Sequence, residues 1–131
     1  MSESGYIYLI YRPGRYSKIG RTANLTRRLH WWRSAFHEQR RHYIPLLAVK
    51  VPDQIKAEST FHAAFASKRA TTWDEWPVTP DGEWFKLTPK DVDTFRGIAQ
   101  DLGEMIFELN NRWELPEEPS WQSQATNGRD G

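Results

Sequence analysis

Tyr6-Ile7-Tyr8-Leu9-Ile10-Tyr11 is an unbroken run of aromatic and branched apolar residues. It is too short for an amphipathic helix and rich in side chains that suit a pleated surface. Arg12-Pro13-Gly14-Arg15 interrupts the run and Tyr16-Ser17-Lys18-Ile19-Gly20 resumes it, a pattern that reads strand, turn, strand. The chain therefore starts as a β-hairpin, and its remaining segments must cover the faces of a sheet.

Those segments have the patterns to do so. Leu25, Leu29, Trp32 and Phe36 recur at steps of four, three and four, a helical stripe capped by Thr22 or Asn24. His42 to Val51 reads as a third strand, with Pro45 at its edge or its beginning. Asp53 caps a second helix through about Ser67. Thr71 to Gly82 holds prolines, a glycine and tryptophans, the composition of a long loop, here with Trp73 and Trp76 as its anchors. Glu83-Trp84-Phe85-Lys86-Leu87 is a short extended piece.

Thr88-Pro89-Lys90-Asp91 then has the form of a capped helix start. The stripe Val92, Phe95, Ile98, Leu102, Met105 or Ile106 and Leu109 predicts a long C-terminal helix to about Trp113. Pro116, Pro119 and a polar ending predict a disordered tail. The expected organisation is one domain over 1–113 and a tail over 114–131, consistent with one domain for 131 residues.

Charge is distributed unevenly. Residues 1–50 hold ten Lys and Arg against two acids, and residues 51–131 hold eight against fifteen, so a net +1 conceals a basic front half. Arg15, Arg21, Arg27, Arg28 and Arg33 fall in that half, and arginine's planar fork suits phosphate oxygens. A solvated arginine-rich helix face is the plainer alternative. There is no cysteine, which excludes disulfides, thiol catalysis and zinc-finger ligation. A mean hydropathy of −0.78, with no apolar run of about 18 residues, argues against a membrane span. The N-terminus shows no basic region with a cleavage site, so a cytoplasmic location is expected.

Gly5-Tyr6-Ile7-Tyr8, Lys18-Ile19-Gly20 and the stretch Asn24 to Leu29 resemble the two signature elements of the GIY-YIG nuclease family. Glu58, His62 and Phe65 on the next helix, then Gly82-Glu83-Trp84-Phe85 and the Thr88-Pro89 helix start, look like its small phage- and prophage-type branch, whose second motif reads KIG. The resemblance covers roughly residues 5–96. It implies a small α/β (α+β) domain with a three-stranded antiparallel sheet flanked by helices, which cleaves DNA phosphodiesters with one divalent metal. It also matches Tyr8 to the first-motif tyrosine, Lys18 and Gly20 to the second motif, Arg28 to the helix arginine and Glu58 to the metal-binding glutamate. Lys18 departs from the more usual tyrosine. Position 32, where some members carry a histidine, is Trp32, and His30 lies about 200° around the helix from Arg28.

Phosphodiester hydrolysis needs an activated water, charge stabilisation on phosphate, and help for the departing 3′ oxygen. Tyr8 is the candidate general base. A phenol with a reference pKa of about 10 needs its phenolate stabilised, and Lys18 is the proposed partner, provided an odd-length loop or bulge puts both side chains on one face. Arg28 would grip the scissile phosphate, and Glu58 would hold Mg²⁺ or Mn²⁺. His62, at i+4 from Glu58, either binds phosphate, protonates a leaving group, or simply packs beside Phe61 and Phe65. Trp32 lies on the core stripe, which leaves Trp31 to stack on a base. The expected partner is DNA, bound by a monomer or homodimer. The alternatives are a catalytically idle nucleic-acid-binding module that positions DNA, and a purely protein-binding domain.

Overall fold

A computed structural model describes residues 3–35, 42–73, 77–80 and 82–123. The hairpin forms from β1 (Gly5–Tyr11) and β2 (Tyr16–Thr22). Ile10 pairs with Lys18 and Tyr8 with Gly20, so the turn is centred on Gly14 and the loop has odd length. Gly14 takes φ +74°, a left-handed conformation that costs glycine little. Arg15 N donates to Arg12 O at 3.1 Å, and Arg12 N donates to the buried Ser17 Oγ at 2.9 Å. Tyr8, Ile10, Lys18 and Gly20 therefore share one face, as the alternation of strand side chains requires.

Helix α1 (Leu25–Ala35) follows, then β3 (Ile44–Val51), α2 (Gln54–Ala64), a 3₁₀ turn at Ala66–Lys68, β4 (Trp84–Lys86), α3 (Pro89–Leu102), β5 (Met105–Glu108) and β6 (Trp121–Gln122). Asn24 begins α1: its Oδ1 accepts from Arg27 N at 3.0 Å, and Thr22 Oγ1 accepts from Asn24 N. Asp53 caps α2 by accepting from Lys56 N at 3.0 Å. Thr88 and Asp91 close a reciprocal capping box on α3. Phe36 lies outside the described residues.

The α+β class stands, but the expected three-stranded sheet is the middle of a larger one. Among the described residues the sheet has six strands, all antiparallel, in the order β4-β2-β1-β3-β5-β6. The register slips between Leu9 and Ile10, which pair with Leu47 and Pro45. Pro45 thus sits near the start of an interior strand, beside a bulge that relieves its missing N–H.

Helix α1 covers one face, burying Leu25, Leu29 and Trp32 against Tyr8, Ile10 and Trp84. Helices α2 and α3 cover the other, burying Phe61 and Phe95 against Ile7, Leu9 and Ile19, with those two phenyl rings 4.3 Å apart. Strand β4 closes both layers at once, with Trp84 in the first core and Phe85 in the second.

Three expectations are corrected. The third helix does not reach Trp113. It ends at Leu102, where Gly103 takes extended backbone and a Cβ would lie 2.1 Å from Val49 Cγ2. The chain then runs as β5 along β3. Ile106 and Phe107 are buried on opposite faces, so this stretch has no polar side to distinguish a strand from a helix.

Part of the expected tail is also structural. β6 pairs with β5 through Ile106 and Trp121, and Ser120 N donates to Ile106 O at 2.7 Å. Trp113 stacks on Trp32 with ring centres 6.1 Å apart. Residues 124–131 lie outside the described residues. Finally, Val78 and not Trp73 anchors the long loop: Trp73 is 75% exposed and Val78 only 4%, while Trp76 lies outside the described residues. Among the described residues no helix is long and apolar enough to cross a membrane.

Candidate functional site

The site grows from the free part of one strand. β4 pairs with β2 through Tyr16, Ser17 and Lys18, and the contact ends where Ile19 N donates to Glu83 O at 3.1 Å. From Gly20 to Thr22 that edge of β2 is no longer covered by β4. Side chains from α1, on one face, and from α2, on the other, converge on this stretch.

Tyr8 lies across it. A Cβ on Gly20 would stand 2.5 Å from Tyr8 Oη and 2.6 Å from Cζ, so the ring occupies the space a side chain would need. The residue is 3% exposed. Burial pushes the Tyr8 phenol above its usual 10.0, and the Glu83 and Glu58 carboxylates push the same way, against the Trp32 indole N–H and the Arg28 guanidinium. The net shift is upward, and the phenol is protonated at neutral pH.

Lys18 shares the face of Tyr8, as its proposed role requires, but its ammonium is engaged elsewhere. Nζ lies 3.1 Å from Glu83 Oε2 and 5.3 Å from the centre of the Trp84 ring. The Arg28 guanidinium, from α1, favours the phenolate, but less than burial disfavours it. Glu83 is the functional candidate that sequence reasoning missed. The sequence carries no signal for it, because the pairing of Lys18 with Trp84 that brings Glu83 near is set only by the sheet.

On the α2 side, Arg21 Nε donates to Glu58 Oε1 at 3.1 Å, and His62 Nε2 stands 4.0 Å from Glu58 Oε2. His62 Nε2 is also 3.0 Å from Ile19 O. A carbonyl oxygen only accepts, so Nε2 carries the proton of that bond. The ring rests 5.1 Å from Phe85, and Arg69 Nη2 donates to the His62 carbonyl at 3.2 Å. His62 thus ties α2 to the edge of β2.

On the α1 side, Arg28 Cζ lies 5.1 Å from the centre of the Trp31 ring. Together with Thr22, Ala23, Asn24 and Arg27 these residues line a cleft of about 380 Å³. Trp31 is 46% exposed and Trp32 only 1%, the division of labour expected from the helical stripe. Two of the expected phosphate-binding arginines lie apart from the cleft. Arg15 sits in the hairpin turn, at the other end of β2. Arg33, in the last turn of α1, lines a separate hollow with Asn111, Arg112 and Trp113.

The T5orf172 domain matches residues 5–99. The chain belongs to the T5orf172 domain family. No curated protein and no solved structure matches the chain. The T5orf172 match includes Tyr8, Lys18, Arg28, Glu58, His62 and Glu83 and ends within α3, so β5 and β6 lie beyond it.

The donor set of this T5orf172 domain also bears on metal binding. Among the described residues no three His, Cys, Asp or Glu side chains form a group that could hold a metal ion. Glu58 offers a single hard carboxylate, with Oε1 held by Arg21. One carboxylate suits Mg²⁺ or Mn²⁺, whose other positions water and phosphate can fill, and does not suit a cation that needs an all-protein cage.

Proposed function

We propose that this T5orf172 domain is a metal-dependent DNA endonuclease that hydrolyses or nicks phosphodiesters. The observation that carries the reading is that three side chains meet at the uncovered end of β2: the Tyr8 phenol lies across Gly20, the Glu58 carboxylate of α2 is held by Arg21, and Arg28 of α1 lines the cleft with Thr22. An anion grip, a carboxylate and a proton-transfer group within electrostatic reach of one another are what phosphodiester hydrolysis requires. A protein that only bound a polyanion would gain nothing from the carboxylate. The resemblance to GIY-YIG nucleases supports the same assignment.

Arg28 holds the scissile phosphate through its non-bridging oxygens. Tyr8, as phenolate, takes the proton of the attacking water while the P–O3′ bond breaks. Glu58 would hold the Mg²⁺ or Mn²⁺ ion, which when bound offsets charge on the phosphate and the departing oxygen. Lys18 pairs with Glu83 and so moderates the carboxylate that disfavours the phenolate. His62 positions α2, and with it Glu58, against β2.

The test is incubation of purified protein with end-labelled single-stranded, duplex and branched DNA in Mn²⁺, Mg²⁺ or EDTA, beside Tyr8→Phe and Glu58→Ala. Cutting that needs metal and disappears in both variants is the expected result. One observation favours a second reading, a catalytically idle DNA-binding module: Arg21 already occupies one oxygen of Glu58. No cutting, with salt-sensitive binding intact in all three proteins, establishes that reading instead.

A further inference from the structure

We propose that the cleft between β2 and α1 is a base-stacking subsite that takes an unpaired nucleotide, so that the DNA engaged here is single-stranded or locally unpaired. The inference rests on the DNA-binding part of the proposed function and names its substrate class.

Trp31 carries the argument. It is among the few large apolar side chains left exposed in the described residues, on a helix that otherwise buries its apolar stripe. Its indole shares the cleft with two arginines and stands at right angles to the buried Trp32 ring, and α1 contains no acid between Leu25 and Ala35. Arg28 lies over the ring and Arg27 shares the cleft wall. An exposed indole that shares its cleft with guanidinium groups, one of them over the ring, combines the two elements of single-strand recognition: an aromatic surface for the base and cations for the phosphates on either side.

Two further observations narrow the occupant. A cleft of about 380 Å³ is at the small end of ligand sites, room for one nucleotide. In a duplex both faces of each internal base are already stacked, so Trp31 can engage only a base that is unpaired, terminal or turned out of the stack. At the start of α1, Asn24 Oδ1 already accepts from Arg27 N, and the guanidinium side chains supply the charge that a phosphate would meet.

The experiment measures binding in EDTA, so it does not depend on cutting. The probe is a fluorescein-labelled single strand of about sixteen nucleotides, a common upper site size, its duplex, and single strands made abasic at one position after another. Trp31→Ala should weaken single-strand binding about tenfold while leaving duplex binding unchanged, and Trp31→Phe should restore most of it. One abasic position should cost the parent protein about the same factor and Trp31→Ala nothing further. Equal loss on single strand and duplex would mean that Trp31 only supports Arg28, and it overturns the subsite, as does no loss on either. A protein that never cuts but shows the strand-selective loss keeps the subsite and gives up only the endonuclease reading.

Discussion

The Tyr8 ring fills the place of a Gly20 side chain: a Cβ there would lie 2.5 Å from the phenol oxygen and 2.6 Å from Cζ. This contact explains why a glycine stands opposite a tyrosine in the hairpin. Gly20→Ala should destabilise the fold by about 1–3 kcal/mol through overpacking, measured by urea unfolding. Tyr8→Phe should not rescue it, since Cζ remains in the way. A Gly20→Ala variant within about 0.5 kcal/mol of the parent would mean that Tyr8 moves freely.

On the proposed endonuclease reading, the buried phenol sets the pH dependence of cutting. A base must be deprotonated, and burial, with the Glu83 and Glu58 carboxylates, holds Tyr8 above 10.0. The single-turnover rate should therefore rise about tenfold per unit between about pH 6 and 9 without a plateau. Because Glu83 raises the Tyr8 pKa, Glu83→Gln should move the profile to lower pH and speed cutting at neutrality. A plateau below about pH 8 would assign the base to another group.

Asp91 links α3 to the 3₁₀ turn by an ion pair with Lys68. Burial alone would raise its pKa, but hydrogen bonds from Lys68, the Thr88 backbone and the Thr88 hydroxyl outweigh it and hold the carboxyl below 3.8. The folded state then binds this proton more weakly than the unfolded chain. The stabilisation is present in full above the unfolded pKa and is lost as pH falls through the folded one. Asp91→Asn should cost about 1 kcal/mol at neutral pH, a difference that shrinks toward zero in strong acid when both proteins are unfolded with urea.

Gly103 is confined by space and not by an unusual backbone angle. Its missing Cβ would lie 2.1 Å from Val49 Cγ2 and 2.7 Å from Ala99 O. Gly103→Ala should destabilise by about 1–3 kcal/mol. Adding Val49→Ala should leave the double variant more stable than the sum of the single effects, because only the side-chain clash is relieved. Strict additivity in thermal unfolding would show that the clash is relieved by movement of the backbone instead.

The hairpin, α1, α2 and the start of α3 were legible because each depends on neighbours in the chain: alternation in β1, the spacing of Leu25, Leu29 and Trp32, and the caps at Asn24, Asp53 and Thr88. The division between Trp31 and Trp32 also followed from helical spacing. β5 was not legible, because Ile106 and Phe107 serve two cores at once and carry no period. Neither was β6, two residues whose only reason to be extended is the free edge of β5.

The sequence by itself determined the first hairpin, the helical stripes, the basic front half and the residue types that phosphodiester chemistry would use. Only the tertiary structure decided that the sheet of the described residues has six strands, that Lys18 meets Glu83, that Arg21 meets Glu58, and that Arg15 and Arg33 stand away from the cleft. Local patterns arise from interactions a few residues apart, whereas strand neighbours, ion-pair partners and pKa shifts depend on which distant segments share a face and exclude water.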